Sequence, residues 1–459
     1  MVHDILITKE NPFENDVLNF RDHIHQFCSQ FIFRKIPLSA VVGITGEWGT
    51  GKSTYLKMLQ MHAEGKNKDV IYFNAWKYEF YEDPLIAIYF EMESKFKEVL
   101  TLKKYKKVLN DFKLYGTQFI KSVLINSISY VSEGIINLQD TKDNVKKIKE
   151  KQATLLEKRI EDLKGAKELV DRFSDSIATL AKIINENTDS PLIIIIDELD
   201  RCLPPHALKL LERIKHILSV PGVVFIIAYD KNQLSHSLKT LYGNDFNIEG
   251  YLIRIIDHEV AIPSLFSAEY FNKCADKVVL SNNIYIDKFD ESYKGLNPFA
   301  VTNILMKLSL RDQQYIMHNI YSLNNKNKNI TKISYLLVYF YFLGGLKLKN
   351  PSVFKLFESG TITKAEFYRK VLPALNPLER DEVIIGGAEI LMAIVLTIIS
   401  LIEGEQNPNN LTSLNLNGVN LEFNVHLVAD VKTRMTTQRI TNLKNIPKLY
   451  SEYPTFSLD

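Results

Sequence analysis

Ala40-Val41-Val42-Gly43-Ile44-Thr45-Gly46-Glu47-Trp48-Gly49-Thr50-Gly51-Lys52-Ser53-Thr54 is the stretch on which the reading of this chain turns. It opens with an apolar run of the length of a buried strand. Gly46, Gly49 and Gly51 then punctuate a turn, and Tyr55, Leu56, Met58 and Leu59 follow at helical spacing. Strand, glycine-rich turn and helix form the setting in which G-x-x-x-x-G-K-[ST] binds phosphate. The glycines permit a tight loop whose backbone N–H groups converge on phosphate oxygens. The following helix turns its positive end to the same anion. On this reading Gly46, Glu47, Trp48, Gly49, Thr50, Gly51, Lys52, Ser53 and Thr54 surround a nucleotide triphosphate. Lys52 reaches the β- and γ-phosphates as a catalytic cation, the Ser53 hydroxyl is a ligand for Mg²⁺, and Thr54 supports the helix start. A bare match to the pattern arises by chance in unrelated loops; the flanking strand and helix favour the functional reading.

Further along, Leu192-Ile193-Ile194-Ile195-Ile196 is a continuous apolar run suited to a central parallel strand covered on both faces. It ends in Asp197-Glu198. A carboxylate at Asp197 can hold the water shell of Mg²⁺, and Glu198 can orient and activate an attacking water. The competing reading is a solvated acidic pair opening a turn. Asp200-Arg201-Cys202 follows, with Asp200 a turn cap, Arg201 pairing with it or reaching a phosphate, and Cys202 a packing residue.

Val70-Ile71-Tyr72-Phe73 is a second short strand, ending in Asn74, which either bonds the attacking water or caps a turn. Val223–Ala228 is a further strand, and Asp230 beyond it is either a γ-phosphate sensor or the N-cap of the next helix. Glu259–Ile262 closes the set. Arg254 and Arg311 are candidate charge-stabilising arginines, Arg311 the better placed. The catalytic set is therefore Glu198, Lys52, Asn74, Asp230 and Arg311, with Ser53 and Asp197 on the metal. No Asn-Lys-x-Asp follows the core, so guanine reading is unsupported and ATP is the expected nucleotide.

Alternating strands and helices argue for an α/β fold with a parallel sheet flanked by helices. At 459 residues the chain exceeds one ordinary domain. We expect a nucleotide-binding core over 1–100 and 187–263, a helical or coiled-coil-like insertion over 101–186, a helical lid over 264–350 and a mostly helical C-terminal interaction region over 351–459. Near the N-terminus a helix start is expected at Asn15–Phe20, with Val17, Phe20, Ile24 and Phe27 on one face. In the insertion, Leu156, Leu163, Val170, Ile177 and Ile184 recur every seven residues. That seam suits a long helix packed on its own domain, the expected case, or an intermolecular coiled coil. Leu414–Leu427 alternates weakly and can hold one or two late strands.

Lys plus Arg number 56 against 54 for Asp plus Glu, so there is no global drive toward nucleic acid or an anionic membrane. The local basic patches, Lys103–Lys107 and the loop Asn324–Lys332, lend a nucleic-acid role only modest support. Cys28, Cys202 and Cys274 are an odd, sparse set, which points to a reducing cytoplasm and away from disulfides or structural zinc. No signal peptide is expected. The apolar stretches Ser122–Ser132 and Ile390–Ile402 are interrupted by charge too soon to span a bilayer, so no transmembrane segment is expected.

Taken together, Gly43–Ser53, Phe73-Asn74-Ala75-Trp76-Lys77-Tyr78-Glu79, Ile196-Asp197-Glu198-Leu199-Asp200-Arg201-Cys202 and Val224–Asp230 resemble the KAP family of P-loop NTPases, within the broader group of signal-transducing ATPases. Tyr251–Ile256 is similar to that family's closing segment, and Leu308–Asp312 to its helical lid. The resemblance covers roughly residues 12–320. Many such proteins carry transmembrane helices between the P-loop and the acidic strand; here that interval holds the charged segment 101–186. The family's usual Asp-Asp pair is Asp197-Glu198 here. The resemblance implies a soluble bacterial ATPase of the anti-phage-defence type, acting as a homo-oligomer or beside operon-encoded partners. The alternatives are an ATP-binding switch with little turnover and a nucleic-acid-associated ATPase.

Overall fold

The computed structural model describes residues 7–33, 39–100, 105–132, 145–263, 298–326, 334–360, 362–378, 381–403 and 411–437. Its centre is a sheet of β1 (Ala40–Thr45), β2 (Val70–Asn74), β3 (Leu192–Asp197), β4 (Val223–Tyr229) and β5 (His258–Ala261). The strand order is β2-β3-β4-β1-β5 and every pairing is parallel. β3 and β4 are buried along their whole length, as continuous apolar runs in the middle of a covered sheet must be. β5 begins one residue before the expected strand and ends at Ala261, although Ile262 N still donates to Thr45 O at 2.9 Å.

The period of two along β3 sorts its side chains between two cores. Ile193 and Ile195 join Val42, Ile44 and Ile226 beneath α1 (Arg21–Phe31) and α2 (Lys52–Gly65). Ile194 and Ile196 join Phe225 and Ile227 beneath α3 (Pro84–Val99) and the helices that follow it. The N-terminal helix starts later than the sequence suggests. Val17 and Phe20 are buried, but they precede α1 in a turn with Asn19 at φ 54°, and Asp16 accepts from Arg21 N.

The insertion contributes α4 (Lys106–Ser132) and α5 (Val145–Thr188), which pack on each other. Phe173, Ile177, Leu180 and Ile184 of α5 are buried in the same core as Tyr89, Phe96, Phe112 and Phe119. The C-terminal part of the seven-residue seam is therefore spent on the protein's own domain; the side chains of Leu156 and Leu163 lie outside the described residues. So do Lys103 and Lys104, whereas Lys106 and Lys107 are exposed at the start of α4. Next come α6 (Pro204–Arg213), which continues as a π-turn, α7 (Lys231–Tyr242) and α8 (Ile248–Leu252).

Residues from 298 onward build a second apolar core. It contains α9 (Pro298–Met306), α10 (Leu310–Lys326), α11 (Ser334–Lys349), α12 (Pro351–Glu358), α13 (Glu382–Glu403) and α14 (Val425–Thr437). Among the described residues this core has members from Phe299 to Val431, so the residues read as lid and those read as C-terminal region share one interior. An antiparallel hairpin of β6 (Ser413–Leu416) and β7 (Val419–Glu422) occupies the weakly alternating stretch. Its turn, Asn417-Gly418, has φ of 50° and 93°, as a two-residue hairpin loop needs. The first three residues of the loop expected at Asn324–Lys332 belong to α10, which ends at Lys326; the rest of that stretch lies outside the described residues.

α13 corrects one expectation. Its apolar window Ile384–Glu403 is 20 residues long with mean hydropathy 2.3, long and apolar enough to cross a bilayer. The interruption expected around Ile390–Ile402 does not shorten it, because Glu389 alone breaks the run. In the structure 72% of that window is buried against neighbouring helices, α9 and α14 foremost. Cys28 and Cys202 are free and buried, while Cys274 lies outside the described residues.

Candidate nucleotide site

In a parallel α/β sheet, ligands bind beyond the carboxyl ends of the strands. Register puts the four chemically suggestive strand ends at that one edge. Asn74 of β2 stands opposite Asp197 of β3, and Thr45 of β1 opposite Tyr229 of β4. β4 lies between β1 and β3, so the two strands carrying the motifs are about 10 Å apart, two strand spacings. The gap is bridged by a cleft of about 670 Å³, lined among others by Gly49, Gly51, Lys52, Ser53, Thr54, Asp197, Glu198 and Arg311.

The glycine-rich loop is built as its sequence requires. Gly49 and Gly51 have φ of 81° and 92°, a region costly for residues with a Cβ. Gly51 is the N-cap of α2, which begins at Lys52. Thr50 Oγ1 donates to Glu47 O at 2.7 Å and pins the loop's middle. Lys52 is 8% exposed; its amine donates to the carbonyls of Gly46 (2.9 Å) and Glu47 (3.2 Å) and stands 3.6 Å from Asp200 Oδ2.

The acidic pair is held from both sides. Asp197 is 3% exposed. Its Oδ2 accepts from the Tyr72 hydroxyl at 2.6 Å and its Oδ1 from Glu198 N at 2.8 Å. Burial, and then the charge of Asp197, push the Tyr72 phenol's pKa up, so it remains a donor across the neutral range. Glu198 adopts φ 60°, ψ 30°, a left-handed conformation uncommon outside glycine. Non-glycine residues held in sparsely populated backbone regions cluster at functional sites. Its Oε2 accepts from Asn74 Nδ2 at 2.8 Å and its Oε1 pairs with Arg201 at 3.0 Å.

The start of α10 meets the loop directly. Ser309 and Asp312 form reciprocal caps at the start of α10, with Asp312 Oδ2 accepting from Ser309 N and Asp312 N donating to Ser309 Oγ. Leu310 N then donates to Gly49 O at 3.1 Å, which brings Arg311 into the cleft with its guanidinium 5.4 Å from the Trp48 ring centre.

Trp48, Gly49, Gly51, Lys52, Ser53, Thr54, Asp197, Glu198 and Arg311 thus converge, while Gly46, Glu47 and Thr50 complete the loop behind them. Asn74 takes its turn-capping alternative, Oδ1 accepting from Lys77 N at 2.8 Å, while its Nδ2 donates to Glu198. Asp230 takes its capping alternative: Oδ1 accepts from Asn232 N and Gln233 N at the start of α7, and its own N–H donates to Asp200. Arg254 is exposed and does not line the cleft. Arg201 pairs with Glu198 rather than with Asp200, because Asp200 faces Lys52 and Asp230. Tyr72 and Asp200 are site residues that sequence reasoning passed over. Tyr72 and Asn74 are two apart on β2 and so share a face, a signal that was readable. Nothing local announced that Asp200 would meet Lys52.

Among the described residues no three His, Cys, Asp or Glu side chains cluster to form a metal cage. Mg²⁺ is ordinarily held by one or two protein oxygens plus substrate phosphates rather than by a cage of protein groups. Ser53 and Asp197, on one cleft, are such a pair.

No curated protein matches the chain. One solved structure, "Structure of the Aeropyrum Pernix ORC2 protein (ADPNP-ADP complexes)", shares 11% identity over 98% of this chain and 88% of that one, with a TM-score of 0.33, too weak a likeness to inform either fold or function. The model of the KAP family P-loop domain matches residues 28–334, well over half of the chain, and spans every cleft residue named above. The chain therefore belongs to the KAP family of P-loop NTPases, which carries a general nucleotide-binding and nucleotide-hydrolysing role.

Proposed function

We propose that the chain is a Mg²⁺-dependent ATPase whose cycle drives assembly or activation of a bacterial anti-phage defence complex, in the cytoplasm, as a homo-oligomer or beside operon-encoded partners. The observation that carries the chemistry is the fixed orientation of Glu198 by Asn74 and Arg201 in the cleft that also holds Lys52 and Asp197. The defence role rests on the family resemblance alone.

The chain's own groups divide the work. The loop's backbone and the N-terminus of α2 receive the phosphates. Lys52 neutralises charge on the β- and γ-oxygens, exchanging its loop carbonyls for them. A carboxylate has about four lone-pair sites. Asn74 and Arg201 take two of those on Glu198, and the rest can accept a water's proton and aim its oxygen in line. Arg311 adds positive charge from the lid side. Held by Ser53 and Asp197, Mg²⁺ would supply charge neutralisation on the triphosphate.

Glu198→Gln should retain Mg²⁺·ATP binding and lose turnover by about a hundredfold or more, the scale of a general base. Hydrolysis by the purified variant at the parental rate would sink the assignment. Lys52→Ala should abolish nucleotide binding. Light scattering after size exclusion, with and without ATP, should show an ATP-dependent change in mass; an unchanged mass with and without partners contradicts the assembly role.

A further inference from the structure

Arg201 does more than neutralise Glu198. Its guanidinium lies 5.9 Å from the ring centre of Trp48 and 5.2 Å from that of Trp76, both within reach of a cation–π interaction. Trp48 is in the phosphate loop, Trp76 follows β2, and Arg201 follows β3. Trp48 also carries Arg311 of the lid at 5.4 Å. A ladder Trp76–Arg201–Trp48–Arg311 thus ties together four separate segments. The indoles are 53% and 50% exposed, which apolar packing alone does not explain. Arg201 is 26% exposed and Glu198 15%, so their pair at 3.0 Å is sheltered.

We propose that Arg201, clamped between Trp48 and Trp76, is a positioning residue that fixes the Glu198 carboxylate for water activation. Asn74 alone leaves the carboxylate one hydrogen bond, about which it can swing; Arg201 adds an ion pair at its other oxygen. A planar guanidinium can lay its face on an indole while its edge pairs with a carboxylate; a compact ammonium has no such face. The catalytic consequence rests on the ATPase reading above; the clamp itself does not.

Trp48 and Trp76 are the only 2 tryptophans in the chain, so intrinsic indole emission reports on this ladder alone. Two measurements on the full chain test the proposal. First, Arg201→Gln should lower kcat about tenfold while the affinity for Mg²⁺·ATP stays within about threefold, and Arg201→Lys should recover only part of kcat, since lysine restores the charge but not the planar face. An unchanged or raised kcat in Arg201→Gln, or full rescue by lysine, overturns it. Second, Glu198→Gln removes the guanidinium's charged partner and should shift indole emission in the parental background but not in Arg201→Gln. No shift in the parent, or an equal shift in both backgrounds, overturns the clamp. Should the parental protein prove unable to hydrolyse ATP, the ATPase reading falls, and the emission cycle still decides whether Arg201 connects Glu198 to the tryptophans.

Discussion

The hydroxyl of Tyr72 donates to Asp197 Oδ2 across 2.6 Å, so a residue of β2 sets the rotamer of the carboxylate that ends β3. With Glu198 N on the other oxygen, Asp197 has one orientation available. Outer partners of a metal ligand, the role proposed for Asp197, are typically worth ten- to a hundredfold in metal affinity.

Tyr72→Phe should therefore raise the Mg²⁺ concentration needed for half-maximal nucleotide binding by about tenfold. Binding of ATP in the presence of a chelator should be unchanged. Calorimetric titration at several Mg²⁺ concentrations checks both; an unaltered Mg²⁺ dependence would remove Tyr72 from the site.

Gly49 couples the loop to the lid. At φ 81° an added Cβ is strained, and it would stand 2.9 Å from Ser309. Gly49→Ala should cost about 1–2 kcal/mol locally and push α10 off the loop. We expect nucleotide affinity to fall about tenfold, the equivalent of 1.4 kcal/mol. Parental affinity in this variant would show that the Leu310–Gly49 contact does not shape the cleft.

Asp83 caps α3, with Oδ1 accepting from Leu85 N at 3.0 Å, and its carboxylate is 1% exposed. Burial would raise its pKa, but hydrogen bonds and charge from Arg213, 2.7 Å away, hold it below its ordinary 3.8. The unfolded state therefore binds the proton more readily, so stability rises with pH through this window. The contribution is complete above about pH 4 and is lost as pH falls through the folded value. Asp83→Ala should destabilise by about 2–4 kcal/mol near neutrality, combining a cap and charge-assisted bonds. The gap in Tm from the parent should narrow below about pH 4; a gap independent of pH contradicts the assignment.

Gly116 tests the insertion's packing apart from the site. A methyl there would overlap the Tyr89 ring and approach Phe173 to 3.1 Å. Gly116→Ala should lower stability by about 1–3 kcal/mol through overpacking. Nucleotide affinity of the folded fraction should not change. A neutral effect on denaturant midpoint would mean that α4 does not seat on α3 and α5 as described.

Much of the site was legible because its determinants are local. The glycines that allow Gly49 and Gly51 their positive φ, the lysine that follows them and the acids ending an isoleucine run are dictated over a few residues. So is the sheet: continuous β-branched runs have few stable homes other than a covered parallel strand. Where a residue carried two local readings, spacing did not choose between them. Asp230 became a helix cap because α7 starts immediately after it and offers two backbone N–H groups.

The sequence by itself determined the α/β core, the phosphate loop and the acidic pair, because each is a short-range pattern of backbone freedom and burial. Only the tertiary structure decided which side chains meet across it. Arg201 faces Glu198 rather than Asp200, Tyr72 reaches Asp197, and Arg311 is delivered to Trp48 from more than two hundred and fifty residues away. Those contacts depend on strand order, on register and on the docking of α10, which are set by the packing of whole elements and leave no mark in any local stretch.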